Sequence, residues 1–155
     1  MCVTVEPDEQ VDAVADAVLA ASRLLVAVSA RSIAAVDESI SLAQFRLLVV
    51  LSNGHQKVTA LAEALDVNPS SATRAVDRLV ESGLVDRQQN PRSRRETQVS
   101  LTSAGRRLVS DVTRRRRAEI AEIVARMPAG HQRGLVRALR AFSEAGGEVS
   151  QDGPV

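Results

Sequence analysis

The sequence predicts a mainly α-helical protein carrying one small β-hairpin. Three observations point there. Apolar residues recur every three or four positions through most of the chain, two short helical patterns meet at a tight turn near residues 66–68, and the period drops to two only after Gly83. A length of 155 residues has room for one ordinary domain, and 45% hydrophobic with 25% charged residues matches a folded, soluble chain. Two Phe with no Trp or Tyr leave Val, Leu, Ile and Ala to build the core. Such side chains pack well between helices but supply few large anchors, so a second copy of the chain would help bury them.

From Val11 the apolar residues Val11, Val14, Val18, Ala21, Leu25 and Val28 step by three and four, a narrow seam that suits a partner helix. The first helix is expected over 8–37. Ser41-Leu42-Ala43-Gln44 then fits a capping box, in which Ser41 and Gln44 satisfy each other's backbone N–H groups ahead of the apolar run Phe45 to Leu51. Asn53-Gly54 breaks that helix, and Leu61, Ala62 and Leu65 mark a short one from about Thr59 to Leu65. Asn68-Pro69 reads as N-cap and first residue of the next, because Asn caps well and Pro sacrifices no hydrogen bond there. Ala72, Val76, Leu79 and Val80 share its inner face, Ser70, Arg74, Asp77, Arg78 and Glu81 lie opposite, and Gly83 ends it.

Beyond Gly83, Leu84 to Gln88 forms one strand, and Thr97, Val99 and Leu101 alternate along another. Between them, residues 89–96 open with turn formers and hold Arg92, Arg94 and Arg95, so the segment reads as a protruding basic wing. A long helix capped by Thr102 is expected to reach about Met127 with Leu108, Val112, Ile120, Ile123 and Met127 facing inward. Pro128-Ala129-Gly130 breaks it. A last helix with Leu135, Val136, Leu139 and Phe142 ends at Gly146-Gly147, and the tail over 147–155 is expected to be mobile.

The net charge of +1 hides an uneven distribution. Residues 1–67 hold 4 basic and 9 acidic residues (net −5), 68–117 hold 12 and 5 (net +7), and 118–155 hold 4 and 5 (net −1). The basic island coincides with the capped helix, the hairpin and the start of the long helix, and every cation in it is Arg, which suits planar contact with phosphate or base edges.

Several classes are excluded. No uncharged run approaches the roughly 18 apolar residues of a membrane span, and Met1 to Pro7 lacks the regions of a signal peptide, so a cytoplasmic location without a membrane partner is expected. Cys2 alone builds no internal disulfide, and as a redox sensor it would need an electropositive setting that a chain terminus near Glu6 does not offer. With only His55 and His131 beside it, no metal site is expected. Both histidines read as surface residues. No Gly-x-Ser-x-Gly elbow, phosphate-cradling loop or base and nucleophile pair is present, so no catalytic residue, no cofactor and no enzyme activity are expected.

The order of elements and several strings resemble the MarR family of winged helix-turn-helix regulators. The resemblance rests on Ser41-Leu42-Ala43-Gln44-Phe45-Arg46-Leu47-Leu48, Leu61-Ala62-Glu63-Ala64-Leu65, Thr73-Arg74-Ala75-Val76-Asp77-Arg78-Leu79, Gly83-Leu84-Val85, and Asn90-Pro91-Arg92-Ser93-Arg94-Arg95 running on to Leu101-Thr102. It covers nearly the whole chain. One departure is Asn90, where the family usually has an Asp that braces the wing Arg two residues on. Asn90 can hydrogen-bond but cannot ion-pair, so a less rigid wing is implied.

The resemblance implies a single domain over 1–155, with dimerisation helices at 8–37 and 104–146 and a winged-helix lobe at 38–103. It implies a homodimer, with Val11, Val14, Val18, Leu135, Leu139 and Phe142 among the dimerisation residues, whose two lobes address successive major grooves of double-stranded DNA. Repression, and release by a small anionic or aromatic effector, are the implied outcomes. On the recognition helix, Ser70 and Ser71 sit at the N-terminal turn, Thr73 flanks the face, and Arg74 is the residue placed for a bidentate guanine contact, with Arg78 beside it. Asp77 would be repelled by DNA and is expected to orient Arg74 or Arg78. In the wing, Arg92 suits the minor groove and Arg94 and Arg95 suit phosphate. Four consecutive helical Arg, Arg114 to Arg117, cannot face one ligand. They read as a solvated or salt-bridged junction, with a phosphate contact or a cationic effector lining as the alternatives. The alternative function is a winged-helix scaffold for proteins without specific DNA binding.

Overall fold

The computed structural model describes residues 7–90 and 93–147, with the side chains of all of these except 7, 90 and 93–96. Two compact units divide after Arg116. The chain runs α1 (Pro7–Ala34), α2 (Leu42–Leu51), β1 (Gln56–Lys57), α3 (Val58–Ala64), α4 (Pro69–Glu81), β2 (Val85–Asn90), β3 (Ser93–Leu101), α5 (Ser103–Ala125) and α6 (Ala129–Ala145).

The helix starts read from the sequence are present. The Ser41 hydroxyl accepts from the Gln44 N–H at 3.2 Å while Gln44 Oε1 accepts from the Ser41 N–H at 2.8 Å, the reciprocal pair of a capping box. Asn68 Oδ1 accepts from the Ser71 N–H at 2.8 Å with Pro69 at the first helical position. α1 ends three residues before the expected position 37. In the turn that follows, the Val36 and Asp37 N–H groups both donate to the Ile33 carbonyl, and Asp37 Oδ1 accepts from the N–H and the hydroxyl of Ser39, at 2.9 and 2.6 Å.

The sheet is three-stranded and antiparallel in the order β1-β3-β2. β1 was not expected. It is two residues long, Gln56 opposite Val99 and Lys57 opposite Gln98, too short for any alternation to register in sequence. Val85 to Gln89 pair in register with Leu101 to Thr97, close to the expected strands, and the hairpin extends beyond the apolar pattern through Asn90 and through residues 93–96, which are polar or charged. A register shift at Gln89/Asn90 then pairs Asn90 with Ser93.

The core of the first unit draws on every one of its elements except β1. Phe45, Leu47 and Leu48 of α2, Leu61 of α3, Val76 and Leu79 of α4, Val99 of β3 and Val112 of α5 are essentially buried. Where β3 gives way to α5, the Thr102 hydroxyl donates to the Gly83 carbonyl at 2.7 Å and accepts from the Gly105 N–H at 3.1 Å. Gly83 lies at φ 71°, the left-handed terminator of α4. A Cβ on Gly105 would sit 2.1 Å from the Leu84 carbonyl oxygen, so only glycine lets α5 start that close to β2. One knot thus fixes the end of α4, the root of the hairpin and the start of α5.

The second unit is sparser. Gln132 Nε2 donates to the carbonyls of Val124 and Met127 at 3.0 and 2.9 Å, closing the corner before α6. Leu108 and Val112 of α5 are buried as expected, but Ile120, Ile123 and Met127 are only half-buried, because two helices make too few layers to enclose a core. α6 has no buried residue.

α1 corrects the reading on membrane spans. By length and composition alone it could cross a membrane, since the isolated charges within it shorten the uncharged runs without removing its apolar character. Its C-terminal end belongs to the first core through Val28 and Ile33, whereas 11% of its most apolar 18-residue window is buried. Most of this helix is an uncovered apolar surface.

Candidate nucleic-acid interface

α4 is amphipathic because Ala72, Val76 and Leu79, spaced four and three apart, are drawn into the core. The opposite face is thereby fixed. Ser70, Thr73, Arg74 and Arg78 are exposed and Ser71 is half-buried. A shallow cleft of about 270 Å³ is lined by Ser71, Arg74, Ala75 and Arg78, the i, i+3, i+4 and i+7 positions of one helix face. Two guanidinium groups and a hydroxyl therefore share one concave surface beside the helix N-terminus.

Three polar side chains of α4 bond back to their own helix. The Ser70 hydroxyl donates to Asn68 Oδ1 at 2.7 Å, the Thr73 hydroxyl donates to the Pro69 carbonyl at 2.9 Å, and Arg74 Nε donates to the Ser70 carbonyl at 3.4 Å. With their protons engaged, Ser70 and Thr73 offer lone pairs outward and are acceptors first. The single long bond at Nε leaves the terminal nitrogens of Arg74, the pair that matches a guanine edge, directed by the stem rather than consumed by it.

Asp77 does not orient Arg74 or Arg78. Its Oδ1 accepts from Arg87 Nη2 at 2.6 Å, across to β2. Arg87 is a residue that the sequence alone does not single out. It lies two residues after buried Val85 but is itself exposed, so nothing in the local pattern calls for an acidic partner, and its meeting with Asp77 depends on how β2 folds back beside α4.

Among the wing residues, Arg92 lies outside the described residues. The backbones of Arg94 and Arg95 belong to β3, and their side chains are outside the description. Cys2 and the tail from 148 on also lie outside it. The Arg run is salt-bridged in part. Arg114 Nη2 donates to Asp111 Oδ1 at 2.6 Å along the helix, Arg115 and Arg117 are exposed, and Arg116 is half-buried with an Nε that has no hydrogen-bond partner. His55 and His131 are exposed, and among the described residues no cluster of His, Cys, Asp and Glu could hold a metal.

The residues expected at a subunit contact are largely bare. Val11 is 66%, Val14 55%, Leu139 50% and Phe142 56% exposed, while Val18 and Leu135 are half-buried. Leu19, Leu24 and Val26 of α1 are exposed too, so its apolar surface is broader than the seam read from the sequence.

A family model described as the MarR family matches residues 40–97, from the start of the capping segment of α2 to the hairpin. An uncharacterised HTH-type transcriptional regulator of Mycobacterium bovis is 37% identical over 87 residues, 56% of this chain and 61% of that protein. The HTH-type transcriptional repressor MdtR of Bacillus subtilis is 33% identical over 81 residues, 52% of this chain and 52% of that protein. The matches therefore span between about half and three-fifths of these curated relatives. The crystal structure of RV1404 from Mycobacterium tuberculosis is similar over 94% of this chain and 99% of its own, at 55% identity and a TM-score of 0.83. A mutant MarR from E. coli complexed with operator DNA shares the fold at 21% identity and a TM-score of 0.66, over 89% of this chain and 99% of its own. A capped, cation-bearing fourth helix, a hairpin rooted at its end and these likenesses agree: the chain belongs to the MarR family of winged helix-turn-helix transcriptional regulators.

Proposed function

We propose that the chain is a homodimeric, sequence-specific DNA-binding repressor that sits on a pseudo-palindromic operator and is released by a small anionic or aromatic effector. The observation that carries this reading is the outer face of α4, where Ser71, Arg74 and Arg78 line one cleft on a helix capped at its start and buried along its other side. A helix so held can enter a major groove with its positive N-terminal end toward phosphate and Arg74 toward a guanine edge. Ser70 and Thr73 flank it, and Arg92, Arg94 and Arg95 of the wing reach for the neighbouring minor groove and phosphates.

The solved E. coli relative bound to operator DNA supports DNA as the partner, and the relative named a repressor supports repression. Uncovered Val11, Val14, Leu139 and Phe142 support a second copy as the other partner, through segments 8–37 and 104–146, with 38–103 as the DNA-binding lobe, 147–155 as a tail and 1–155 as one functional unit. A regulator of this kind works in the cytoplasm, beside the chromosome. The family is one of regulators, not of enzymes.

Fluorescence anisotropy tests this reading. The protein is titrated onto a duplex recovered by random-sequence selection and onto random duplex, across a salt series. The expected result is a steep salt dependence with random DNA about a thousandfold weaker. Arg74→Ala should cost about 1 to 3 kcal/mol per half-site on the selected duplex and relax base preference, while Arg94→Ala should weaken both duplexes alike. Failure of the selection to enrich any sequence would replace the reading by that of a protein-binding scaffold.

A further inference from the structure

α1 and α6 carry matching patterns that run in opposite directions. In α1 the apolar residues Val11, Val14 and Val18 step by three and then by four. Read backwards, α6 repeats those steps with Phe142, Leu139 and Leu135. Residues spaced by three and four share a helix face, so each helix presents one apolar row, and the two rows stay in step when the helices lie antiparallel.

Charge follows the same plan. From Pro7 to Ser22 every charged residue of α1 is acidic, and from Gln132 to Ser143 every charged residue of α6 is Arg. Asp12, Asp16, Arg137 and Arg140 are exposed, and among the described residues none of these four has a hydrogen bond or an ion pair. Asp12 and Asp16 stand seven and three residues from Leu19, and Arg140 stands four from Val136. Leu19 and Val136 are exposed, so the charges flank bare apolar surface. With Val11 opposite Phe142 and Val18 opposite Leu135, position 12 falls opposite 141 and position 16 opposite 137. That register brings Asp12 beside Arg140 and Asp16 across from Arg137.

We propose that these rows form a partner-selecting surface: α1 of one copy lies antiparallel on α6 of a second, with Asp12 facing Arg140 of the partner subunit and Asp16 facing Arg137 of the partner subunit, so that a chain with a different charge pattern is rejected. The proposal rests on the homodimer reading, in which two-fold symmetry makes each contact occur twice. Apolar burial supplies most of the affinity, and exposed ion pairs add little to it. Their weight lies in what they exclude, because like charges set opposite one another oppose association. Apolar rows alone would accept the equivalent helices of any chain with the same fold.

Two charge-reversed chains test this, one with Asp12→Lys and Asp16→Lys, the other with Arg137→Glu and Arg140→Glu. Each is labelled for energy transfer between subunits and followed by sedimentation equilibrium. Alone, each reversed chain sets like charges against each other, and its self-association should weaken on the order of tenfold, the scale of a few exposed ion pairs. Mixed, the two chains restore opposite charges at both contacts and should prefer the mixed dimer to either self-pair. That preference should fade in about 1 M salt, where screening acts within about 3 Å. A chain carrying all four reversals should pair with itself as the wild type does and discriminate against wild-type chains. Mixed dimers no more stable than either self-pair would overturn the proposal and leave the charges as a solvated face. A wild type that sediments as a monomer is a separate outcome, which removes the homodimer reading and this surface with it.

Discussion

α2 and α6 show two opposite ways for a helix to dispose of its apolar residues. α2 has 10 residues and buries Phe45, Leu47, Leu48 and Leu51 within its own unit. α6 has 17 residues, is amphipathic, and buries none, with Val136, Leu139 and Phe142 each at least half exposed. α1 combines both behaviours, with Val28 and Ile33 in the first core and Val11 and Val14 bare. The first unit therefore has a complete core, while α6 and the N-terminal part of α1 leave their apolar residues exposed. Apolar faces of that size on a folded protein mark interaction sites.

Variants can break that contrast or sharpen it. The largest effect is expected inside the lobe, where Leu48→Ala empties part of a fully buried site and should cost about 2 to 5 kcal/mol, read as a loss of melting temperature. In the outer helices, Val14→Asp with Phe142→Asp should leave the lobe's fold in place. Sedimentation velocity should then show monomers where the wild type gives dimers, and no change of sedimentation would disprove the assignment of these faces. The smallest effect is expected at the start of α4. Asn68→Ala removes the acceptor for the Ser71 N–H and should cost about 1 kcal/mol of stability, with the dimer intact. Were all three variants to lower the melting temperature equally and leave the assembly state unchanged, the division into a self-contained lobe and partner-seeking helices would be wrong.

Local signals were legible wherever a single side chain decides a local bond. Ser41 with Gln44, Asn68 with Pro69, and Gly83 each act within three or four residues of themselves, and the structure has each in the role its chemistry indicated. The face carrying Arg74 and Arg78 was equally readable, because the spacing of Ala72, Val76 and Leu79 leaves one outer side. β1 was not, since two residues present no period, and its pairing with Gln98 and Val99 is a contact across about forty positions. The partner of Asp77 was misjudged for a related reason. Neighbours along a helix are visible in sequence, but Arg87 arrives from a strand whose approach depends on how the turn at Gly83 folds back.

The sequence by itself therefore determined the order and type of the helices, their caps, the basic hairpin and the outward placement of the recognition-helix cations, because these follow from short-range sterics and amphipathic spacing. Only the tertiary structure decided which acid meets which base, that a Cβ at position 105 would strike the Leu84 carbonyl, and which apolar residues remain uncovered. Those facts depend on where distant segments come to rest, and a chain's local preferences do not specify distance across the fold.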